Sequence, residues 1–241
     1  MKMTTKKKVF VVALAVALIA ILSFSSLAWF NATDTATNQF KIADSNDPNT
    51  TPDFSVDVIE HDGTTEKDGL EFDDVAPGAT LAKDPIVKNT GEYGLYARVI
   101  VTLSDAATWN AAAARYSLAT DTSGNMDLTA IVDAIDTDWV RFDNIVLDTT
   151  ADTLTYVYYY GSVIAKAGES DPLFTEVKIP GLFEQSDMDY GTDNTFTITV
   201  KADAVQSDNI LDGTTLTSGN HAYKAFATAN WPAGSAYPSV P

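Results

Sequence analysis

Residues 195–200 read Thr-Phe-Thr-Ile-Thr-Val, which puts Phe196, Ile198 and Val200 on one side of an extended chain and Thr195, Thr197 and Thr199 on the other. A period of two built from β-branched and aromatic residues is the pattern of a half-buried strand. Strand-like runs also begin at Phe54 (FSVDVIE), Thr80 (TLAKDPIVKN), Leu95 (LYARVIVTL), Trp139 (WVRFDNIVL), Thr153 (TLTYVYYYG), Leu173 (LFTEVKI) and His221 (HAYKAFATAN). Gly- and Asp-containing turns separate them, and strands do not alternate with helices. That order predicts an all-β chain folded as an antiparallel sandwich rather than a parallel α/β sheet.

Two segments depart from the strand pattern and predict inserted helices. The first, SDAATWNAAAARYSLA, opens on Ser104-Asp105, residues suited to an N-cap, and continues into an alanine-rich run. The second, NMDLTAIVDAIDTDW, places Leu128, Ile131, Val132 and Ile135 at helical spacing. Both are expected to cover an open end of a sheet. No repeat of solenoid or propeller length is visible.

The chain has 241 residues, 45% hydrophobic, enough for one core and a leader. Lys2, Lys6, Lys7 and Lys8 precede fourteen uncharged apolar residues, Val9 to Leu22, and Ser26-Leu27-Ala28 supplies small residues where a signal peptidase reads. This is the pattern of a secretory signal peptide, residues 1–28, with cleavage after Ala28. An uncleaved anchor reaching Phe30 is the competing reading, since about 20 apolar residues span a bilayer. The exported product keeps 11 basic residues against 33 acidic ones, a formal charge of −22. A phosphate backbone is bound by clustered Lys and Arg, so nucleic acid is not an expected partner. Cysteine is absent, which excludes a disulfide-stapled scaffold, Cys-ligated metal and a Cys nucleophile.

From Phe30 to Ile42 the alternate positions Phe30, Ala32, Asp34, Ala36, Asn38, Phe40 and Ile42 face a wholly polar set, Asn31, Thr33, Thr35, Thr37, Gln39 and Lys41. The expected strand is followed by a Pro/Asn/Thr/Asp tether, Asp44 to Asp53, which makes residues 29–53 a segment apart from the sandwich domain at 54–241. Such a strand either completes its own domain or adds to the edge of another.

Four stretches carry a family resemblance: LAWFNATDTATNQF behind the leader, VAPGATLAKDPIVKNTGEYGLYARVIVTL (Val75 to Leu103), YYYGSVIAKAGESDPLFTEVKIPG (Tyr158 to Gly181) and FTITVKADAVQ (Phe196 to Gln206). Over nearly its whole length the chain resembles the TasA/camelysin family of exported proteins. The resemblance implies a jelly-roll-like sandwich, a leader removed by a SipW-type signal peptidase, and assembly outside the cell into biofilm matrix fibres with other copies and matrix companions. In fibrous members the new N-terminus is donated as a strand to the next subunit. Trp29, Phe30, Ala32, Ala36, Phe40 and Ile42 would fill that role here, and thirteen extended residues at ~3.3 Å each reach about 43 Å. Pro77-Gly78 and Asn89-Thr90-Gly91 read as turns, the second returning the chain so that its flanking strands pair as a hairpin.

Catalytic chemistry is not expected. The camelysin branch has been classed as metallopeptidase, yet the two histidines, His61 and His221, belong to no motif with two histidines and a Glu on one helical turn. No Gly-x-Ser-x-Gly elbow occurs. Asp-rich loops at Ser45 (SNDPN) and Asp208 (DNILDG) offer hard oxygens suited to Ca²⁺, without matching an EF-hand. Tyr158, Tyr159, Tyr160 and Trp231 are candidate carbohydrate contacts, against the plainer expectation that a Tyr-rich strand packs on its own sheet. A monomeric secreted adhesin is the alternative to a fibre subunit. After Trp231 the tail PAGSAYPSVP carries no wall-sorting motif.

Overall fold

The computed structural model describes residues 31–35, 54–70, 72, 75–184, 187, 195–208 and 221–229. The leader, Ser26, Ala28, Trp29, Phe30, Ala36, Phe40, Ile42, the tether and Trp231 lie outside the described residues.

The described chain is all-β, an antiparallel sandwich with two short helices. Its larger layer is a six-stranded sheet in the order β1 (Asn31–Thr35), β11 (Ile198–Gln206), β6 (Leu95–Ser104), β9 (Thr153–Tyr160), β7 (Trp139–Val140), with β8 (Val146–Asp148) also on β9. Its register follows the sequence alternation. Val99 lies opposite Ala202 on one side and Tyr158 on the other. Ala97, Val99, Val101 and Leu103 join Val200, Ala202, Ala204, Leu154, Tyr156, Tyr158 and Tyr160 in one buried cluster. The opposite side of β6 is buried too, at Tyr96, Arg98 and Ile100, which is why its alternation is weak in sequence.

The second layer is broken. One piece is β3 (Thr65–Lys67), β2 (Val56–Asp62) and β5 (Ile86–Asn89), and the other is β4 (Thr80–Ala82) with β10 (Glu176–Lys178). TLAKDPIVKN, expected as one strand, splits into β4 and β5 in different sheets. Pro85 has no N–H to donate and sits at the corner, where its carbonyl accepts the Leu173 amide at 2.9 Å. WVRFDNIVL likewise divides into β7 and β8, and only Glu176–Lys178 of LFTEVKI is strand.

The first expected helix is present as α1 (Ala106–Tyr116), burying Ala106, Trp109, Ala112 and Ala113. Its cap differs from expectation. Asp105 is in the left-handed region at φ 59 and makes no side-chain cap. Asp152 serves instead, its carbonyl accepting from Ala106 N at 3.1 Å and its Oδ1 from Ala107 N at 2.9 Å.

Two elements overturn the expectation. Residues 125–139 are not a helix beyond a 3-10 turn at Leu128–Ala130. Their backbone is drawn into sheet-like bonds to the β10 segment: Lys178 N donates to Ile131 O at 2.7 Å, Asp133 N to Glu176 O at 3.1 Å and Asp136 N to Leu173 O at 2.9 Å. Leu128, Ile131 and Val132 are buried all the same, so their apolar spacing served packing and not a helix. Conversely, the run from His221, expected as a strand, is α2 (His221–Thr228). Ala222, Ala225, Phe226 and Ala229 are buried, the 3–4–7 spacing of one helical face.

Candidate functional site at the border of the large sheet

The large sheet ends at β1. Its five residues pair antiparallel with β11, Asn31 with Val205, Ala32 with Ala204, Thr33 with Asp203, Asp34 with Ala202 and Thr35 with Lys201. Ala202 and Ala204 are fully buried, and their short side chains belong to the core. In the register of an antiparallel ladder, every such pairing is made by main-chain groups and demands little of the side chains.

One position along this ladder does make a specific demand. Asp203 is opposite Thr33 on one side and Arg98 on the other, and Arg98 is opposite Tyr159. Asp203 and Arg98 are both buried, and Arg98 Nε and Nη2 donate to Asp203 Oδ2 at 3.0 and 2.8 Å. Helix α2 roofs the pair: the Phe226 ring lies 4.6 Å from the Arg98 guanidinium, and Tyr159 meets Phe226 and Tyr223 edge-on. A buried charge pair of this kind is costly if either partner is lost, so it fixes which residue of β11 meets which residue of β6. The register offered to β1 follows from that.

The turn residues have structural partners. Gly78 has φ 83, and Ala79 N donates to Ala76 O at 3.0 Å, so Pro77-Gly78 occupies the centre of a tight turn in which the third residue needs positive φ. Asn89 is buried and donates from Nδ2 to Tyr93 O at 2.7 Å and Ile164 O at 3.0 Å, while its Oδ1 accepts Gly91 N at 3.0 Å. The hairpin expected across this turn is absent: β5 pairs with β2, whereas β6 pairs with β9 and β11. Asn89 supplies the hydrogen bonds the chain loses in crossing from one layer to the other.

The remaining candidates fall elsewhere. His61 is on β2 with its Nδ1 2.7 Å from Asp84 Oδ2, and His221 opens α2 against the Tyr96 ring at 6.2 Å. Among the described residues the one cluster of three metal-ligand-type side chains is Asp136, Asp138 and Asp171, with ligand atoms within 4.8 Å of one another and neither histidine included. Burial and then the charges of Asp136 and Asp171 push the Asp138 carboxyl up. Asp136 Oδ1 accepts Asp138 N and Asp171 Oδ2 accepts the Tyr160 hydroxyl, both at 2.8 Å, so turn and strand groups already occupy two of the carboxylates. Of the proposed Ca²⁺ loops, SNDPN and residues 209–213 lie outside the described residues. Tyr158, Tyr159 and Tyr160 are buried in their own sheet and present no carbohydrate platform.

No family model, curated protein or solved structure matches this chain. The Arg98–Asp203 pair joins residues 105 apart in the chain, which no local pattern connects. A lone Arg in LYARVIVTL and a lone Asp in ITVKADAVQ each interrupt an apolar strand, and two such interruptions were the available signal.

Proposed function

We propose that the exported chain is a structural subunit that polymerises outside the cell, each copy passing its N-terminal strand to the next. One observation carries this reading: residues 31–35 border the six-stranded sheet and are bound along β11 by register. The same residues of a second copy reproduce that contact without disturbing any other strand pairing, and a head-to-tail contact that does not close yields an open filament. The tether at residues 44–53 supplies reach, and the leader, once removed by a SipW-type peptidase, frees the strand end. Copies of the same chain and other matrix components are the partners. Within one chain the same pairing gives the alternative, a secreted monomeric adhesin.

The two are separated by mixing variants, because the native chain has no cysteine. Thr35 and Lys201 are register partners. On donation, a Thr35→Cys chain and a Lys201→Cys chain form a mixed disulfide as fibres grow, and removal of residues 29–42 leaves a folded core that no longer elongates. If the strand stays at home, the double variant gives a cross-linked monomer, the mixture stays uncoupled, and the deletion destabilises the fold. The −22 charge of the exported chain opposes association, so fibre growth rises with ionic strength.

A further inference from the structure

Glu60 on β2 and Lys83 in the β4–β5 corner are buried, with 3% and 7% of their surface exposed. Lys83 Nζ donates to Glu60 Oε1. Glu60 Oε2 is also buried and has no hydrogen-bond partner among the described residues. As an ion pair the site is therefore half-satisfied, with one carboxylate oxygen buried and without a hydrogen-bond partner among the described residues.

The position of the pair is fixed from several sides. On the next residue of each segment, His61 N and Nδ1 meet the two oxygens of Asp84 at 2.7 Å. Glu60 and His61 are successive residues of β2 and their side chains point to opposite faces, so this second contact clasps β2 to the corner from its other side. Lys83 N donates to Thr175 O at 3.1 Å, which anchors the lysine backbone to the neighbouring segment.

We propose that Lys83 Nζ and Glu60 Cδ condense to an intramolecular isopeptide bond that staples β2 to the β4–β5 corner. A proton passes from the ammonium to the carboxylate, leaving an amine and a carboxylic acid. The amine lone pair attacks Cδ and the Nζ–Cδ bond forms. A Cδ–O bond then breaks, and the departing oxygen takes a second Nζ proton and leaves as water. Ammonium and carboxylate become amide and one water, with no oxidant, reductant or co-reactant. Held reactants behave as if at effective concentrations of about 10⁵–10⁸ M, and burial keeps bulk water from reversing the step. The reaction discards one of the two oxygens of a carboxylate that the fold only half satisfies. It also supplies a covalent staple, across a separation of 23 residues, to a chain with no cysteine.

The test is the mass of the full exported chain in denaturant, followed by tryptic mapping. The expected chain is lighter than its sequence by one water, and residues 42–67 are recovered joined to residues 68–88, with Lys83 uncut. Lys83→Arg restores the full mass. A wild-type chain at full sequence mass overturns the proposal, as does a water loss mapping to an Asp62–Gly63 succinimide with the two peptides unlinked. The wild-type measurement decides even if the variant fails to fold.

Discussion

The two layers of the sandwich are held by different means. In the large sheet, β6, β9 and β11 run for ten, eight and nine residues and are joined by continuous ladders. In the second layer most strands are three or four residues long, and side chains bonding to backbone at their ends do much of the joining. Ser170 Oγ accepts from Val87 N at 2.9 Å, Asn89 spans Tyr93 and Ile164, and Asp133 takes amides from Thr175 and Glu176 at 3.0 and 3.1 Å. A long ladder tolerates the loss of any one side chain outside its core. A layer of short pieces depends on individual polar groups, and its weak points are therefore nameable.

The difference extends to pH, and the largest expected effect is alkaline. Burial first, and for Tyr156 also the nearby Tyr158 phenol, raises the hydroxyls of Tyr156, Tyr158 and Tyr159 far above their ordinary value of 10.0, and Tyr160 is pushed up to about 12 by burial and its bond to Asp171. A group whose folded pKa lies above its unfolded one stabilises fully below the unfolded value and loses that contribution as pH rises. The large sheet is expected to unfold cooperatively as pH climbs above 10, followed by tyrosinate absorbance together with far-UV circular dichroism.

Next in size is the charge pair. Arg98→Ala leaves Asp203 buried without its guanidinium and is expected to cost about 3–5 kcal/mol in urea unfolding. Replacing both residues with apolar ones recovers most of that loss. An equal loss in the double variant would mean that the pair contributes net stability and not only register.

A second-layer counterpart is Asn89→Ala, which strands the Tyr93 and Ile164 carbonyls and the Gly91 amide. It is expected to cost about 2–3 kcal/mol. Hydrogen exchange sharpens the comparison: protection should fall around β5 and Ile164 while β9 and β11 keep theirs.

The smallest effect is acidic. Burial opposes ionisation of Asp133, but the Thr175 hydroxyl and the Thr175, Ala134 and Glu176 amides outweigh it and bring the carboxyl down from 3.8 to about 2. Its contribution is present above pH 3.8 and is lost as pH falls toward 2. Because Asp133 is exposed, Asp133→Ala is expected to cost only about 1 kcal/mol at neutral pH and to flatten the acid limb of the stability profile.

Where a stretch is long and its pattern local, the sequence announced its structure. The second half of TFTITV, from Ile198, opens β11, the β-branched and aromatic content of LYARVIVTL and TLTYVYYY became β6 and β9, and the alanines of 106–116 became α1. The run from His221 does not follow its expectation: its Tyr and Phe favour a strand, whereas Ala222, Ala225, Phe226 and Ala229 recur at the helical spacing that the structure buries. Residues 125–139 were not legible in the same way. Asp127 caps Thr129 at 3.0 Å and Asp133 captures the β10 amides, and those acceptors win over a helix only when β10 lies alongside.

Periodicity is a relation among neighbours, so this chain's sequence determined by itself that it is built of antiparallel strands, where most of them run and where the turn at Gly78 falls. Tertiary structure alone decided the partners: Arg98 with Asp203 across 105 residues, Glu60 with Lys83 across 23, and residues 31–35 against β11. The reason is physical. A strand's edge and a buried charge are satisfied by whatever the closed chain brings near, and nothing in the residues on either side specifies what that will be.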